Sequence, residues 1–198
     1  MALGDPYAAP SELEDRLGTT DTGGHYGVLL DAASRAVESF TGRQFNKTVT
    51  ATARSYRAVD RLRLPVDDFH TITDLAIVVD GTAWAVTDVD PRPWSGVVNG
   101  QEGWPFFDLF AVDRTWPWSR RGKIDVTAQW GWAAVPAPIR EATLDVAAML
   151  VSNPASTAVQ SERVGDYSVS YYPSSGSVAT SPELQRAIPY RLRKFGVA

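Results

Sequence analysis

One segment, residues 138–151, constrains the fold of this chain more than any other, because it carries the complete pattern of an amphipathic helix. Pro138 suits the first turn of a helix, where a missing N–H costs nothing. Apolar residues from Ile139 to Leu150 recur at the spacing of one helical face. Pro154 ends the pattern, because the residue before a proline is disfavoured in the α region. We therefore expect a helix whose apolar face packs against other elements.

Two further helices are predicted near the N-terminus. Ser11 and Glu14 have the spacing of a capping box at the start of a short helix, and Gly18 supplies its stop. Residues 26–41 show helical apolar periodicity and are followed by Gly42. Both segments have an apolar face that can pack with the helix predicted at residues 138–151.

The segment between these helices has the composition of a β-sheet. Asp80 and Gly81 form a two-residue hairpin signal. Residues 90–105 are rich in Pro, Gly and Trp without a period, which predicts a long loop. Alternating or β-branched stretches predict strands near residues 49–56, 61–64, 72–79, 83–89, 106–112 and 123–130.

The chain is therefore predicted to have an α+β fold. Residues 1–47 and 131–153 are expected to form a small helical core. Residues 48–130 are expected to form an inserted antiparallel module that is rich in β-strands and Trp. Residues 154–198 are expected to form a flexible, extended C-terminal arm with a short terminal helix beginning at Pro182.

The sequence contains no recognisable catalytic or cofactor-binding pattern. The absence of cysteine excludes a disulfide framework, a thiolate nucleophile and cysteine-bound zinc. The two histidines, His25 and His70, lie far apart and lack a regular ligand spacing. No phosphate loop, nucleophile elbow or dinucleotide fingerprint is present. We therefore predict a protein that is not an enzyme and has no cofactor or metal, with a hydrolase of unrecognised motif as the alternative.

Charge and hydropathy narrow the class of partners. The formal net charge of −4 argues against a protein whose main task is gripping nucleic acid. The first residues lack the basic and apolar regions of a signal peptide. No apolar run approaches the roughly 20 residues needed to span a bilayer. We therefore expect neither export nor membrane association.

Most of the seven tryptophans are concentrated between residues 94 and 132. They have three interpretations: the core of the β module, a partly exposed aromatic surface used in assembly, or a sugar-binding platform. Aromatic residues dominate interface hot spots, which favours the second over the third. The clustered residues are Trp94, Trp104, Trp116, Trp118, Trp130 and Trp132.

The C-terminal residues combine basic and aromatic side chains without an acid after residue 185. They indicate a solvated basic tail, an arm that orders on docking to another protein, or a nucleic-acid contact. The acidic balance of the remaining chain weakens the last alternative. The residues concerned are Arg186, Tyr190, Arg191, Arg193, Lys194 and Phe195.

Several short segments, taken in their order along the chain, form a set that is more specific than any one of them. They are residues 15–18, 30–45, 126–132, 135–142, 164–171 and 189–191. As a set they resemble the head–tail connector (adaptor) proteins of long-tailed bacteriophages and of related gene-transfer particles. The β-rich, Trp-rich insertion at residues 48–130 departs from this pattern.

The resemblance implies a structural role in the virion, at the head–tail interface, after assembly in the host cytoplasm. It implies self-association into a ring, a dodecamer in the virion, between the portal protein and a stopper or next neck protein. DNA would pass through the ring lumen without sequence-specific binding. A C-terminal segment, here about residues 182–198, would reach the portal. The six C-terminal residues named above are therefore the candidate portal-binding residues.

Our functional hypothesis is a non-enzymatic connector, and two alternatives stay open beside the hydrolase named above. They are another neck or tail-completion protein, and a carbohydrate- or ligand-binding β module. The candidate ring contacts are charged residues on the solvent-facing sides of the predicted helices. These are Arg35, Glu38, Arg140, Glu141 and Asp145.

Overall fold

The fold is α+β, as predicted, with helices and an antiparallel sheet in separate parts of the chain. The chain divides into two compact units, which we call the helical unit (Met1–Arg43 with Pro136–Ala198) and the sheet unit (Gln44–Val135). The computed structural model describes residues 4–117, 122–152, 161–164, 167–170 and 182–192.

Helix α3 lies at the centre of the helical unit and packs against α1, α2 and the 3₁₀ helix near the C-terminus. Its predicted apolar face is buried from Ile139 to Ala147, whereas Leu150 is only partly covered. Leu144 is also buried, because neighbours surround the helix on more than one side. The helices are α1 (Pro10–Leu17), α2 (Tyr26–Thr41) and α3 (Ala137–Ser152), with 3₁₀ helices at Val86–Asp88 and Pro182–Tyr190.

The start of α1 differs from the prediction. The helix begins at Pro10, and the Glu12 carboxylate accepts the Ala9 N–H at 2.8 Å. Glu14, expected to pair with Ser11, instead accepts the N–H of Asp21 at 2.7 Å. The capping-box prediction was therefore wrong in position, because Pro10 already supplies the favoured first residue of the helix. The predicted ends of α1 and α2, at Gly18 and Gly42, are confirmed.

The sheet unit contains a six-stranded antiparallel sheet in which β1, β6, β2, β5 and β4 follow one another, while β3 pairs with β2. A separate hairpin, β7–β8, lies in the C-terminal part of the chain, within residues 154–198. The strands are β1 (Thr52–Tyr56), β2 (Arg63–Val79), β3 (Thr82–Trp84), β4 (Val89–Arg92), β5 (Phe106–Ala111), β6 (Ile124–Trp130), β7 (Ser161–Val164) and β8 (Tyr167–Ser170).

Strand β2 corrects the prediction of two separate strands divided by Pro65. It runs from Arg63 to Val79 without interruption and pairs with β5 in its first half and with β6 in its second. Pro65 is tolerated because the register with β5 shifts between it and Phe69. A proline inside a central strand is expected only at such an irregularity.

The turn between β2 and β3 is the predicted two-residue hairpin. Asp80 and Gly81 both have positive φ, 47° and 86°, as the favoured hairpin turn requires. The predicted loop at residues 90–105 is partly wrong, because Val89–Arg92 forms strand β4. Pro91 hid this strand from sequence inspection, and an edge position is where a strand accepts proline.

The core of the sheet unit consists of apolar side chains from β2, β5 and β6 together with Trp116 and Trp130. A second aromatic group in the same unit joins Trp132 to Phe45 and Trp104, with ring centroids 5.2 and 5.0 Å apart. Trp132 also donates its indole N–H to the Asp68 carboxylate at 2.9 Å. These contacts tie both ends of the sheet unit into its interior.

Candidate functional site

The three candidate ring contacts on α3 lie in an ion-pair cluster within the helical unit. Arg16 on α1 donates to both Glu141 and Asp145. Arg186 approaches the same two carboxylates, at 3.5 and 3.1 Å. Arg140 lies 3.4 Å from Glu12. The structure therefore brings a candidate portal-binding residue, Arg186, together with candidate ring contacts.

The other two candidate ring contacts, Arg35 and Glu38, form an ion pair one turn apart on α2. The guanidinium donates to both Glu38 oxygens, at 2.8 and 2.7 Å. Tyr7 donates its hydroxyl to the same carboxylate, and its ring lies 5.7 Å from the Arg35 guanidinium carbon. This cluster holds the segment before α1 against α2. The assignment of all five residues to a ring interface stays a prediction.

The 3₁₀ helix Pro182–Tyr190 packs on α2 and α3. Leu184, Ala187 and Tyr190 are its buried residues, and their spacing of three matches the period of a 3₁₀ helix. Arg43 donates from Nε to the Tyr190 carbonyl at 2.8 Å, and burial raises the pKa of the Tyr190 phenol. This part of the predicted arm is therefore integrated into the helical unit, and Tyr190 is an anchoring residue within the chain.

Arg191 is the remaining described residue of the candidate portal-binding set, and it is exposed. Arg191 lies over the Phe40 ring at 5.2 Å, and Leu192 donates its N–H to the Thr41 carbonyl at 2.8 Å. Ile188 and Leu192 expose large apolar side chains. Three candidates lie outside the described residues: Arg193, Lys194 and Phe195.

The tryptophan cluster is mostly core. Trp104, Trp116, Trp130 and Trp132 are buried, which confirms the core interpretation for these four, and Trp118 lies outside the described residues.

Trp94 differs from them, because 69% of its surface is exposed. The Arg92 guanidinium carbon lies 4.1 Å from the Trp94 ring centroid and 4.2 Å from that of Phe110. The sequence drew attention to Trp94 but not to Arg92, because Trp94 lies in the turn after β4 and the contact depends on the path of that turn.

The two histidines lie in different elements, with His25 before α2 and His70 within β2. In the described ranges, no group of three or more His, Cys, Asp or Glu residues is placed to hold a metal ion. His25 is the residue preceding α2, where the Asp21 carboxylate accepts the Tyr26 N–H at 2.6 Å. This hydrogen bond is the largest cause that lowers the pKa of Asp21. In the same described ranges, none of the helices combines the length and apolarity needed to cross a bilayer.

No family model matches the sequence, and no curated protein matches it. Solved structures with a similar fold do exist. A chain in the neck of an empty GTA particle, computed with C6 symmetry, matches with a TM-score of 0.57 and 15% identity. The match covers 100% of this chain and 96% of that chain.

Two more structures give the same result over the same shares of both chains. One is the neck of a native GTA particle computed with C12 symmetry, with a TM-score of 0.56 and 16% identity. The other is the virion of a native gene transfer agent particle, with a TM-score of 0.55 and 18% identity. At such low identity the likeness shows a shared fold over the whole chain.

Proposed function

We propose that this chain is a structural subunit of the neck of a tailed-phage-like particle. The observation that carries the proposal is the fold likeness to chains of gene transfer agent necks, which covers 100% of this chain and 96% of each of those chains. A likeness that leaves almost no residue of either chain outside the match favours a common role over a shared small module. Those two neck structures are computed with C6 and C12 symmetry, which supports a ring of identical subunits.

Within the neck, we propose the adaptor position. The ring would bind the portal protein on one side and a stopper or next neck protein on the other, in the virion and after assembly in the host cytoplasm. DNA would pass through the lumen. The net charge of −4 supports passage, since a lumen that attracted phosphates would retard the DNA. No catalytic step belongs to this role.

The portal contact is proposed for the basic and aromatic residues that follow the 3₁₀ helix Pro182–Tyr190. Leu184, Ala187 and Tyr190 are buried, so they would fix the position from which the following residues extend. Arg191, Arg193 and Lys194 would then supply the charged contacts. Deleting residues 182–198 is a poor test, because it removes buried side chains of the helical unit.

The proposal is tested by mixing the purified chain with a portal complex and imaging the product by negative-stain electron microscopy. We expect a ring seated on the portal. The triple variant Arg191→Glu, Arg193→Glu and Lys194→Glu should lose the complex, whereas a control with the same charge change on the sheet unit should keep it. The control is Lys47→Glu, Arg57→Glu and Arg61→Glu, at exposed positions.

Each outcome of this experiment is informative. A wild-type chain that ignores the portal but binds a tail component would be another neck or tail-completion protein. A ring that forms equally well with both triple variants would overturn the portal assignment of the C-terminal residues. A saturable tryptophan-fluorescence response to glycans would favour the carbohydrate-binding alternative. The burial of four of the clustered tryptophans argues against that alternative.

A further inference from the structure

The sheet unit presents a rigid exposed surface around Trp94. Its indole is 69% exposed, although large apolar side chains in the same segment, such as Trp104, are buried. The Arg92 guanidinium carbon lies over the rings of both Trp94 and Phe110. Two cation–π contacts to one guanidinium restrict its orientation. We call Arg92, Trp94 and Phe110 the Trp94 surface.

A single carboxylate holds the polar atoms of this surface in place. Asp90 accepts the Trp94 indole N–H at 2.5 Å and the Arg92 Nε–H at 3.2 Å. The terminal amino groups of Arg92 have no protein partner among the residues that the structure describes. An exposed tryptophan and an arginine that are already held in one conformation lose little entropy on binding. These are the residue types that act as interface anchors.

The backbone around the Trp94 surface is unsuited to strand addition. Strand β4 lies at the edge of the sheet, since it pairs only with β5 on the path through the sheet. Pro91 and Pro93 cannot donate backbone hydrogen bonds, which blunts the open edge. A partner must therefore bind through side chains.

A second exposed surface of the sheet unit has the complementary chemistry. Strand β2 bulges between Thr71, which is opposite Gln129, and Ala76, which is opposite Thr127. The bulge carries Ile72, which is 54% exposed, and an exposed Asp74. We call these two residues the Ile72 surface.

The conformation of the Ile72 surface is held by specific hydrogen bonds. Asp74 has a φ of 62°, a left-handed conformation that is uncommon outside glycine. The Gln129 side chain donates to one Asp74 oxygen at 3.0 Å, and the Thr73 N–H donates to the Thr71 hydroxyl at 3.1 Å. Bulges of this kind re-aim side chains and are designed features of a sheet. Here the bulge presents an apolar side chain beside a carboxylate.

We propose that the Trp94 surface of one copy of this chain binds the Ile72 surface of a second copy, with Trp94 against Ile72 and Arg92 against Asp74. The two surfaces differ, so the contact is heterologous, and repetition of it closes a ring or continues as a filament. The inference deepens the proposed neck function, on which its ring form rests, by naming the subunit contact. The pairing of Arg92 with Asp74 supports this partner. Arg92 pairs with Asp90 through Nε, which leaves its terminal amino groups to donate, and the exposed Asp74 accepts from Gln129 at one oxygen only.

Two other occupants of the Trp94 surface are less well matched. Nucleic acid is poorly matched, because Arg92 is the one cationic side chain of the Trp94 surface as defined here, whereas nucleic acid is gripped by several cations. The portal would contact the Trp94 surface only if that surface lay on the portal-facing side of the ring. Both occupants are distinguished from a second copy by the experiment that follows.

The test uses two full-length variants that each retain one surface. The first carries Arg92→Glu and Trp94→Ala, which blocks the Trp94 surface. The second carries Ile72→Lys and Asp74→Asn, which blocks the Ile72 surface, and asparagine keeps the tolerance for positive φ. All changes are at half-buried or exposed positions, and circular dichroism checks that both variants fold.

We expect each variant alone to remain at the monomer mass of 21.6 kDa in analytical ultracentrifugation. An equimolar mixture should form a heterodimer of twice that mass and stop there, because each complex has one blocked surface at either end. Wild type should form larger assemblies at the same concentration. A control, Val59→Lys with Asp113→Asn, changes the same residue classes at exposed positions and should associate as wild type does.

Other results would overturn the inference. They are a mixture that stays monomeric at the highest soluble concentration, or single variants that assemble like wild type. An Arg92→Glu, Trp94→Ala variant that self-associates but loses portal or DNA binding would assign the surface to that partner. Heterodimers without any ring on the portal would leave the inference standing and reject the proposed neck function. Portal-bound rings that form with either variant would reject the inference and leave the neck function standing.

Discussion

Gly131 follows the last residue of β6 and has a φ of 92°, a conformation that L side chains rarely adopt. Its N–H donates to the Asp68 carbonyl at 2.6 Å, and its α-carbon faces the backbone of Asn46. A β-carbon at this position would overlap the Asn46 carbonyl group. Two backbone segments can therefore meet here only because the side chain is absent.

We predict that Gly131→Ala destabilises the protein by more than Gly81→Ala does. Gly81 also has a positive φ, of 86°, but nothing lies within 4 Å of its added β-carbon. The Gly81 variant therefore measures the backbone strain alone, about 1–2 kcal/mol. The Gly131 variant adds displacement of the Asn46 backbone. Urea unfolding gives both values, and equal losses would contradict the proposed close approach.

Residue-level prediction succeeded where a single pattern carried the signal and failed where a partner was distant in sequence. Asp80 and Gly81 specified their hairpin without help from the rest of the chain. The ion pairs between Arg16 on α1 and Glu141 and Asp145 on α3 left no local signal, because their partners are brought together only by packing. The same holds for the contact of Arg92 with Phe110.

At the scale of elements, length and periodicity decided what was predictable. Helices α2 and α3 were predicted within one residue of their bounds, because each is long and strongly periodic. Strand β2 was divided wrongly at Pro65, because sequence alone does not show the register shift that accommodates a proline. The packing of the 3₁₀ helix Pro182–Tyr190 on α2 and α3 was also missed, since a period of three over a short segment is a weak signal.

We predict that the docking of this 3₁₀ helix weakens at alkaline pH. Burial raises the pKa of Tyr190 above its usual value of about 10. The neutral phenol is favoured in the folded state, so its contribution to stability is complete below about pH 10 and is lost as the pH rises through the folded-state pKa. The unfolding free energy of the wild type, followed by far-ultraviolet circular dichroism, should therefore fall above that pH.

The matched variant for this prediction is Tyr190→Phe, which keeps the buried ring and removes the titrating group. Its unfolding free energy should decline less steeply than that of wild type above about pH 10. The remaining decline includes the half-buried Tyr56 of the sheet unit, whose pKa is raised by burial and by the neighbouring Asp67 carboxylate. Parallel curves for the wild type and the variant would show that Tyr190 is not the group responsible.

At the scale of the whole molecule, the sheet unit begins and ends at neighbouring points. The Thr48 N–H donates to the Trp130 carbonyl at 2.8 Å, and Asn46 is in contact with Gly131. A segment whose two ends lie side by side can be inserted into another unit without separating the flanking chain. This geometry supports the proposed organisation of an inserted β module. The sheet unit extends beyond the predicted residues 48–130 at both ends, because Phe45 and Trp132 pack together.

We therefore predict that residues 44–135, produced alone, fold and unfold cooperatively, as small single domains with their own core do. A shorter fragment with the sequence-based bounds, residues 48–130, lacks the Phe45 and Trp132 rings and leaves Trp104 uncovered. Loss of buried aromatic side chains costs about 3–5 kcal/mol each, so the shorter fragment should be less stable by at least about 3 kcal/mol in urea unfolding or fail to fold. Equal stability of the two fragments would place both rings outside the core of the sheet unit.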